Sequence, residues 1–251
     1  MKNYSQISLK LTEFLTSYLQ KSGAKGFVLG VSGGLDSAVV AALCARTGFE
    51  THALLMPTKY SNERNLSDAL KLCEDLKITH KIIEIQPILD SFTAQIGEPL
   101  SNLRIGNLSA RARMCLLYDY SAKVNALVVG TSNKSERLLG YGTIYGDMAC
   151  ALNPIGELFK TEIYELAKEL GIDEKIIVKA PSADLWEGQS DEADIGYSYE
   201  RLDEVLRLAQ SKSEAELACE FDPKLVATIF SRMRANKFKL SLPPIASLDG
   251  E

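Results

Sequence analysis

The chain has 251 residues, of which 46% are hydrophobic and 24% are charged, and its formal net charge is −5. This composition is ordinary for a soluble globular protein, and the length suffices for one large domain with a real core. The acidic balance argues against a protein that coats nucleic acid or an anionic membrane, and no apolar run approaches the roughly 20 residues that a membrane span needs.

The cysteine and histidine content gives a further exclusion. Five scattered cysteines without a Cys-x-x-Cys pair, together with two histidines, are a poor set of zinc ligands, and they suit a reducing compartment. The first 19 residues place charged and polar side chains at helical spacing, which predicts an amphipathic helix rather than a signal peptide. We therefore expect a cytoplasmic protein without a nucleic-acid or membrane partner.

Short apolar segments alternate with helical ones in the first half of the chain. The apolar segments are typical of strands covered on both faces, and the strand–helix–strand rhythm indicates right-handed crossovers. The predicted strands are residues 26–31, 51–56, 80–85 and 126–131, and the predicted helices between them are residues 37–47, 65–76 and 109–123. This pattern predicts an α/β fold with a doubly wound parallel sheet and helices on both faces.

The last third of the chain has a different pattern. Strand signals fade after Gly130, and the predicted helices are residues 160–171, 199–210 and 223–236, with a polar loop at residues 181–194. The sequence shows no internal repeat, low-complexity tract or clear linker. We therefore assign residues 1–251 to a single domain with a helical C-terminal third.

The sequence SGGLDS, residues 32–37, lies where the first predicted strand ends and a helix begins. Unpaired backbone N–H groups and the positive end of the helix dipole project at such a point. Glycines there let main-chain amides approach an anion, and the two serine hydroxyls add donors. Phosphate binding is the natural interpretation, although the GxxxxGK[ST] and GxGxxG spacings are absent from this turn. Asp36 is acidic where an anion is expected, so it either caps the helix or holds a metal ion.

The SGGxDS string after a strand resembles the pyrophosphate loop of the N-type ATP pyrophosphatases, which cleave ATP between its α and β phosphates. Residues 106–122, 130–167 and 181–199 look like bacterial NAD synthetases, and the resemblance extends from Gly26 to Pro244. It implies an adenine nucleotide alpha hydrolase-like, Rossmann-like fold. It also implies ATP-dependent amidation of nicotinic acid adenine dinucleotide (deamido-NAD) with ammonia, through an adenylated intermediate, to give NAD, AMP and pyrophosphate.

The resemblance also assigns roles to particular residues. The site for ATP and pyrophosphate would comprise Ser32, Gly33, Gly34, Leu35, Asp36, Ser37, Thr131, Lys160 and Ser182. Deamido-NAD would contact Arg111, Tyr118 and Asp147, and Mg²⁺ would be held by Asp36 and Glu136. Mg²⁺ prefers oxygen ligands and is commonly shared between carboxylates and substrate phosphates. Arg111 and Tyr118 lie seven residues apart in a predicted helix and so share one face.

Three further expectations follow from the same resemblance. We expect a homodimer, because members of the family pair through a two-fold interface that helps to form the dinucleotide site. We expect free ammonia as the nitrogen source, since the chain shows no glutaminase domain. We also expect residues 181–194 to close over bound ATP, which would shift the emission of Trp186 and slow proteolysis near Gly188.

Two alternatives remain at this point. GMP synthetases, argininosuccinate synthetases and tRNA-thiolating enzymes share the SGGxDS loop, but the thiolating enzymes commonly need catalytic or metal-binding cysteines, and RNA work favours a basic surface. A module that senses ATP without turning it over would have the loop but not the second carboxylate or the substrate strings. Glu136, Asp147 and Arg111 are all present here, which favours the enzyme.

Overall fold

A computed structural model describes residues 2–182, 189–246 and 248. In these residues four parallel strands form a sheet in the order β3-β2-β1-β4. The strands are β1 (Gly26–Gly30), β2 (Glu50–Leu55), β3 (Thr79–Ile82) and β4 (Ala126–Val128). The strand order reverses at β1, which places a crevice at the carboxyl ends of β1 and β4.

Helices make up most of the remaining described chain. Those before β4 are α1 (Tyr4–Ser22), α2 (Leu35–Arg46), α3 (Glu63–Asp75), α4 (Gln86–Ile96) and α5 (Asn102–Val124). Those after β4 are α6 (Lys134–Leu139), α7 (Lys160–Leu170), α8 (Glu174–Ile177), α9 (Asp191–Ile195), α10 (Tyr199–Leu208), α11 (Glu214–Glu220) and α12 (Pro223–Asn236). None of the helices in the described residues is long and apolar enough to cross a membrane.

The side chains of β1 alternate between two cores, as the two-residue period of a strand requires. Phe27 and Leu29 pack with α1, α2, α3 and α7 on one face of the sheet, whereas Val28 packs with α4 and α5 on the other. The connections from β1 to β3 therefore run on the first face, and the connection from β3 to β4 runs on the second. The predicted doubly wound parallel sheet with helices on both faces is confirmed.

The C-terminal helices enclose a third core of their own. Leu139 of α6 and Phe159, which precedes α7, contribute to this core beside buried residues of α10, α11 and α12, among them Tyr199 and Leu202. This packing fixes α6 and α7 against the end of the sheet. The helical C-terminal third predicted from the sequence is present.

Several elements differ from the prediction. The strand predicted at residues 80–85 ends at Ile82, because the chain turns into α4, which has a proline in its first turn and ends at the left-handed Gly97. The short helices α6, α8 and α11 were not predicted either. In the predicted loop at residues 181–194, the last residues form the start of α9.

Candidate functional site

The turn between β1 and α2 can be built only with glycine at position 33. Gly33 has a φ of +80°, in the left-handed region, and a Cβ added to it would lie 2.1 Å from the backbone oxygen of Asn65. Gly34 is the N-cap residue of α2, and no side chain caps that helix. The helix N-terminus is therefore kept free of competing side chains on this side, as anion binding by backbone N–H groups requires.

The serine hydroxyls fold the loop onto itself. The Gly34 N–H donates to Ser32 Oγ at 3.2 Å, and Ser37 Oγ–H donates to the Gly34 carbonyl at 3.0 Å. The two hydroxyl oxygens lie 3.2 Å apart. These bonds hold donors in place before any ligand arrives, which lowers the cost of ordering them around an anion.

A cavity of about 730 Å³ opens over this loop at the carboxyl ends of the strands. Most of the residues predicted for the site line it: Ser32, Gly34, Leu35, Asp36, Ser37, Thr131, Glu136, Asp147, Lys160 and Ser182. Residues more than 100 positions apart in the sequence thus meet at the crevice that the strand order predicts. Gly33, Arg111 and Tyr118 do not line the cavity.

Asn133 joins the two carboxylates that were predicted to bind metal. Its side-chain Nδ2 donates to Asp36 Oδ1 at 3.1 Å, and its backbone N–H donates to Glu136 Oε2 at 3.1 Å. Asn133 Oδ1 accepts the Glu136 N–H at 3.0 Å, which completes the capping box of α6. Asp36 therefore does not cap α2. Its carboxylate bonds to Asn133 and to Lys160 at the cavity, and its role as a metal ligand stays a prediction.

Lys160 begins α7 and forms an ion pair with Asp36. Only 3% of the residue is exposed. Two hydrogen bonds fix the backbone of Lys160. Its backbone N–H donates to Ser135 Oγ at 2.9 Å, and the Ser135 hydroxyl donates to Asp203. Asp203 also accepts the Thr161 N–H at 2.9 Å, so α6 and α7 are joined beside the site.

The charges at this end of the cavity perturb one another. Burial and the neighbouring charge of Asp36 raise the pKa of Glu136 well above its usual range, and Lys160 opposes this. Burial alone would lower the pKa of Lys160, but the negative charges of Asp36 and Glu136 outweigh it and raise that pKa. When both carboxylates are ionised, they share one buried lysine and the cluster carries an excess of negative charge.

The donor set fits a magnesium ion that substrate helps to bind. Mg²⁺ takes oxygen ligands and is usually held by one or two carboxylates plus phosphates and water. Asp36 and Glu136 supply two carboxylates beside the residue 32–37 loop. Across the described residues, no group of three or more His, Cys, Asp or Glu side chains is arranged to hold a metal.

The Tyr199 hydroxyl is buried nearby without a hydrogen-bond partner among these residues, and burial followed by the charges of Glu136 and Asp191 raises its pKa.

Of the three residues predicted to contact deamido-NAD, one lines the cavity and two do not. Asp147 lies at the cavity, where its Oδ1 accepts the Thr143 N–H at 2.8 Å. Arg111 and Tyr118 share a face of α5 that flanks the lining residues Asn107 and Met114, but neither side chain lines the cavity. Arg111 Nη2 donates to the Ile144 carbonyl at 3.5 Å. Tyr118 is 40% exposed. Their contact with deamido-NAD stays a prediction.

The cavity also contains residues that the sequence reasoning missed. From α5, Asn107 and Arg113 line it instead of Arg111 and Tyr118, and Lys179 and Asp191 line it from the C-terminal third. Of the site residues that were not predicted, Asn133, which bonds to Asp36 and Glu136, alone had a sequence signal. Asn followed three positions later by Glu is the sequence pattern of a capping box. The expectations for Trp186 and Gly188 lie outside the described residues.

Comparisons with known proteins agree with this geometry. The family model described as NAD synthase matches residues 7–243. A curated NH(3)-dependent NAD(+) synthetase from Campylobacter jejuni is 54% identical over 98% of this chain and 100% of its own length. The solved structure of NH3-dependent NAD synthetase from Campylobacter jejuni subsp. jejuni NCTC 11168, in complex with the nitrate ion, superimposes with a TM-score of 0.85 at 47% identity, covering 98% of this chain and 100% of that one.

NMN synthetase from Francisella tularensis superimposes with a TM-score of 0.91 at 35% identity and covers 99% of this chain and 100% of its own. The match of the family model over most of the length, together with the 54% identity to a curated relative over its whole length, shows that the chain belongs to the NAD synthase family.

Proposed function

We propose that the chain activates the pyridine carboxylate of deamido-NAD with ATP and then transfers ammonia to it, giving NAD, AMP and pyrophosphate. The observation that carries this proposal is the convergence of the residue 32–37 loop, Asp36, Glu136 and Lys160 on one cavity. A carboxylate is a poor electrophile, and attachment to AMP provides the leaving group that ammonia can displace. The high identity to curated ammonia-dependent synthetases supports the same reaction.

The first step is displacement at the α-phosphorus of ATP. A carboxylate oxygen of deamido-NAD forms the new P–O bond, and the bond to the β-phosphate oxygen breaks with release of pyrophosphate. Negative charge grows on the leaving pyrophosphate, where the loop N–H groups, the serine hydroxyls and Lys160 would receive it. The hydrogen bonds within the loop hold these donors before the reaction begins.

Asp36 and Glu136 would hold Mg²⁺ beside that leaving group. The ion would neutralise phosphate charge as the α–β bond breaks. For this the two carboxylates must be ionised, and the raised pKa of Glu136 makes this residue the one whose ionisation depends most on pH. Lys160 would exchange part of its contact with Asp36 for contact with phosphate.

The second step is attack of ammonia on the acyl carbon. The new C–N bond forms, the bond to the AMP oxygen breaks, and AMP leaves with an oxygen that came from the carboxylate. The attacking nitrogen loses one proton to solvent and becomes the amide. By resemblance, Asp147 would lie close to the reacting carboxylate, and its carboxylate is held by the Thr143 N–H. The mixed anhydride must be shielded from water until ammonia arrives.

We also propose a homodimer in which Arg111 and Tyr118 contact the dinucleotide near the two-fold interface. Both lie on α5 outside the cavity lining, and exposed apolar side chains occur on α4 and α5, among them Phe92, Ile96 and Leu103. Sedimentation at micromolar concentration should show a dimer, and a monomer would contradict this part of the proposal.

The free thiols of Cys44, Cys73, Cys115, Cys150 and Cys219 suit the cytoplasm.

The reaction is tested by mass spectrometry of the products. The chain with ATP, Mg²⁺, ammonium and deamido-NAD should yield NAD, AMP and pyrophosphate, while glutamine in place of ammonium should yield essentially none. GMP precursors should not replace deamido-NAD, and release of pyrophosphate without any acceptor would contradict the proposal.

Nicotinic acid mononucleotide is the second acceptor to test. The likeness to NMN synthetase from Francisella tularensis favours it as an alternative substrate. The ratio of kcat/KM for the two acceptors decides between them. We propose that the dinucleotide gives the larger value, because the curated relatives of highest identity are NAD synthetases.

A further inference from the structure

Lys179 lies beside the residue 32–37 loop, just after α8, and lines the cavity. Its Nζ donates to the Gly33 carbonyl at 3.0 Å and to Asn65 Oδ1 at 2.9 Å, and it pairs with Asp68 Oδ2 at 2.5 Å. A lysine ammonium has three hydrogens to donate, so these three acceptors use all of them. Lys179 is therefore occupied by the protein itself and is placed to hold the loop, not to bind phosphate directly.

The bond to the Gly33 carbonyl sets the orientation of one peptide plane. Because the peptide between Gly33 and Gly34 is planar and trans, its C=O and N–H point in opposite directions. Lys179 holds the C=O on the α3 side, which directs the Gly34 N–H to the side of Ser32 Oγ, 3.2 Å away. Ser32 and Gly34 both line the cavity.

The Gly33–Gly34 peptide is thus held at its N–H by Ser32, within the loop, and at its C=O by Lys179, from outside the loop. Gly33 has a left-handed φ, where glycine moves easily, and it packs so closely on α3 that a Cβ would overlap the Asn65 carbonyl. Lys179 bonds both to the loop and to α3, through Asn65 and Asp68. It thus ties the loop to α3.

We propose that Lys179 is a positioning residue that fixes the Gly33–Gly34 peptide so that the loop donors are set for pyrophosphate. This rests on the proposed role of residues 32–37 as the pyrophosphate site. Without Lys179, this peptide must be ordered each time ATP or pyrophosphate binds, and that entropic cost lowers the affinity for both ligands. The affinity for deamido-NAD stays the same.

The test compares Lys179→Met with Asp68→Asn in the full chain. Calorimetric titration with magnesium pyrophosphate and with ATP, without acceptor, measures binding apart from turnover. Lys179→Met should weaken both ligands about tenfold or more, with the KM for deamido-NAD unchanged. Asp68→Asn keeps the lysine and its bond to Gly33, so its affinity should stay within about twofold of the wild type. Lys179→Gln replaces the methionine variant if that variant does not fold, as judged by circular dichroism.

Each outcome is informative. If the wild type binds pyrophosphate and Lys179→Met binds it equally well, the positioning role is wrong while the pyrophosphate site stands. Equal weakening by Lys179→Met and Asp68→Asn would assign the effect to the ion pair with α3 and overturn the proposal. A wild-type chain that binds neither pyrophosphate nor ATP would instead contradict the proposed function of the loop.

Discussion

The end of the cavity proposed for phosphate, at residues 32–37, Asn133 and Lys160, is built from buried, mutually bonded groups, whereas the end proposed for the acceptor, at Asp147, is more open. Asn133 is 0% exposed and Lys160 is 3% exposed, whereas Asp147, which lines the cavity, is an exposed residue. Fixed charges lower the cost of stabilising a leaving group because they need no rearrangement during the reaction. The difference indicates that this chain sets the geometry of ATP cleavage in advance and leaves part of the acceptor contacts to be completed on binding.

The largest expected effect is at the carboxylates of the phosphate end. Asp36→Asn and Glu136→Gln should each lower turnover by about 1000-fold or more, which corresponds to about 4 kcal/mol of transition-state stabilisation. Steady-state rates across a magnesium titration measure this. Glu157→Gln, a change at an exposed carboxylate paired with Lys134, is the control and should leave turnover unchanged. Near-normal activity of either site variant would remove its role as a metal ligand.

The next effect is on both stability and ATP binding. Lys160→Met leaves Asp36 beside Glu136 without its buried cation, so the free energy of unfolding should fall by about 3 kcal/mol, and the KM for ATP should rise. Denaturant unfolding and initial rates measure the two. Lys168→Met, at an exposed lysine of the same helix, should change neither. If Lys160→Met lost stability but kept its affinity for ATP, the lysine would be structural only.

A smaller effect is expected at the acceptor end. Arg111→Ala should raise the KM for deamido-NAD by about tenfold, or about 1.4 kcal/mol, and Tyr118→Phe should raise it less, with the KM for ATP unchanged. The control is Arg104→Ala, at an exposed arginine of the same helix. Equal effects on both substrates would contradict the separation of the two ends.

The smallest effect is on the pH dependence of stability. The pKa of Glu136 is raised in the folded chain, mainly by burial and then by Asp36, so the folded state favours the protonated carboxyl. This contribution is fully present below the ordinary pKa of a glutamate and is lost as the pH rises through the raised pKa. Glu136→Gln should therefore gain stability relative to the wild type over that range, as measured by urea unfolding at several pH values. A constant difference across the range would show that the pKa is not raised.

The sequence predicts the sheet, the helices that cover it and most of the phosphate end, because these depend on local patterns. Residues 32–37 form one turn, and their phosphate-binding pattern can be recognised from the local sequence without knowledge of long-range contacts. The bonds of Asn133 to Asp36 and of Lys179 to Gly33 span 97 and 146 positions, and such contacts arise only when the sheet is assembled. Likewise, helical spacing shows that Arg111 and Tyr118 share a face, but not that both side chains lie outside the cavity lining.

The most direct test of adenylation at this site uses deamido-NAD labelled with ¹⁸O in both oxygens of its pyridine carboxylate. In a complete reaction with ATP and ammonium, mass spectrometry should find one ¹⁸O in AMP, one in the amide of NAD and none in pyrophosphate, because the acyl–oxygen bond breaks when ammonia attacks. Unlabelled AMP, or label in pyrophosphate, would contradict attack of the carboxylate on the α-phosphorus and with it the role of the Ser32–Ser37 end of the cavity.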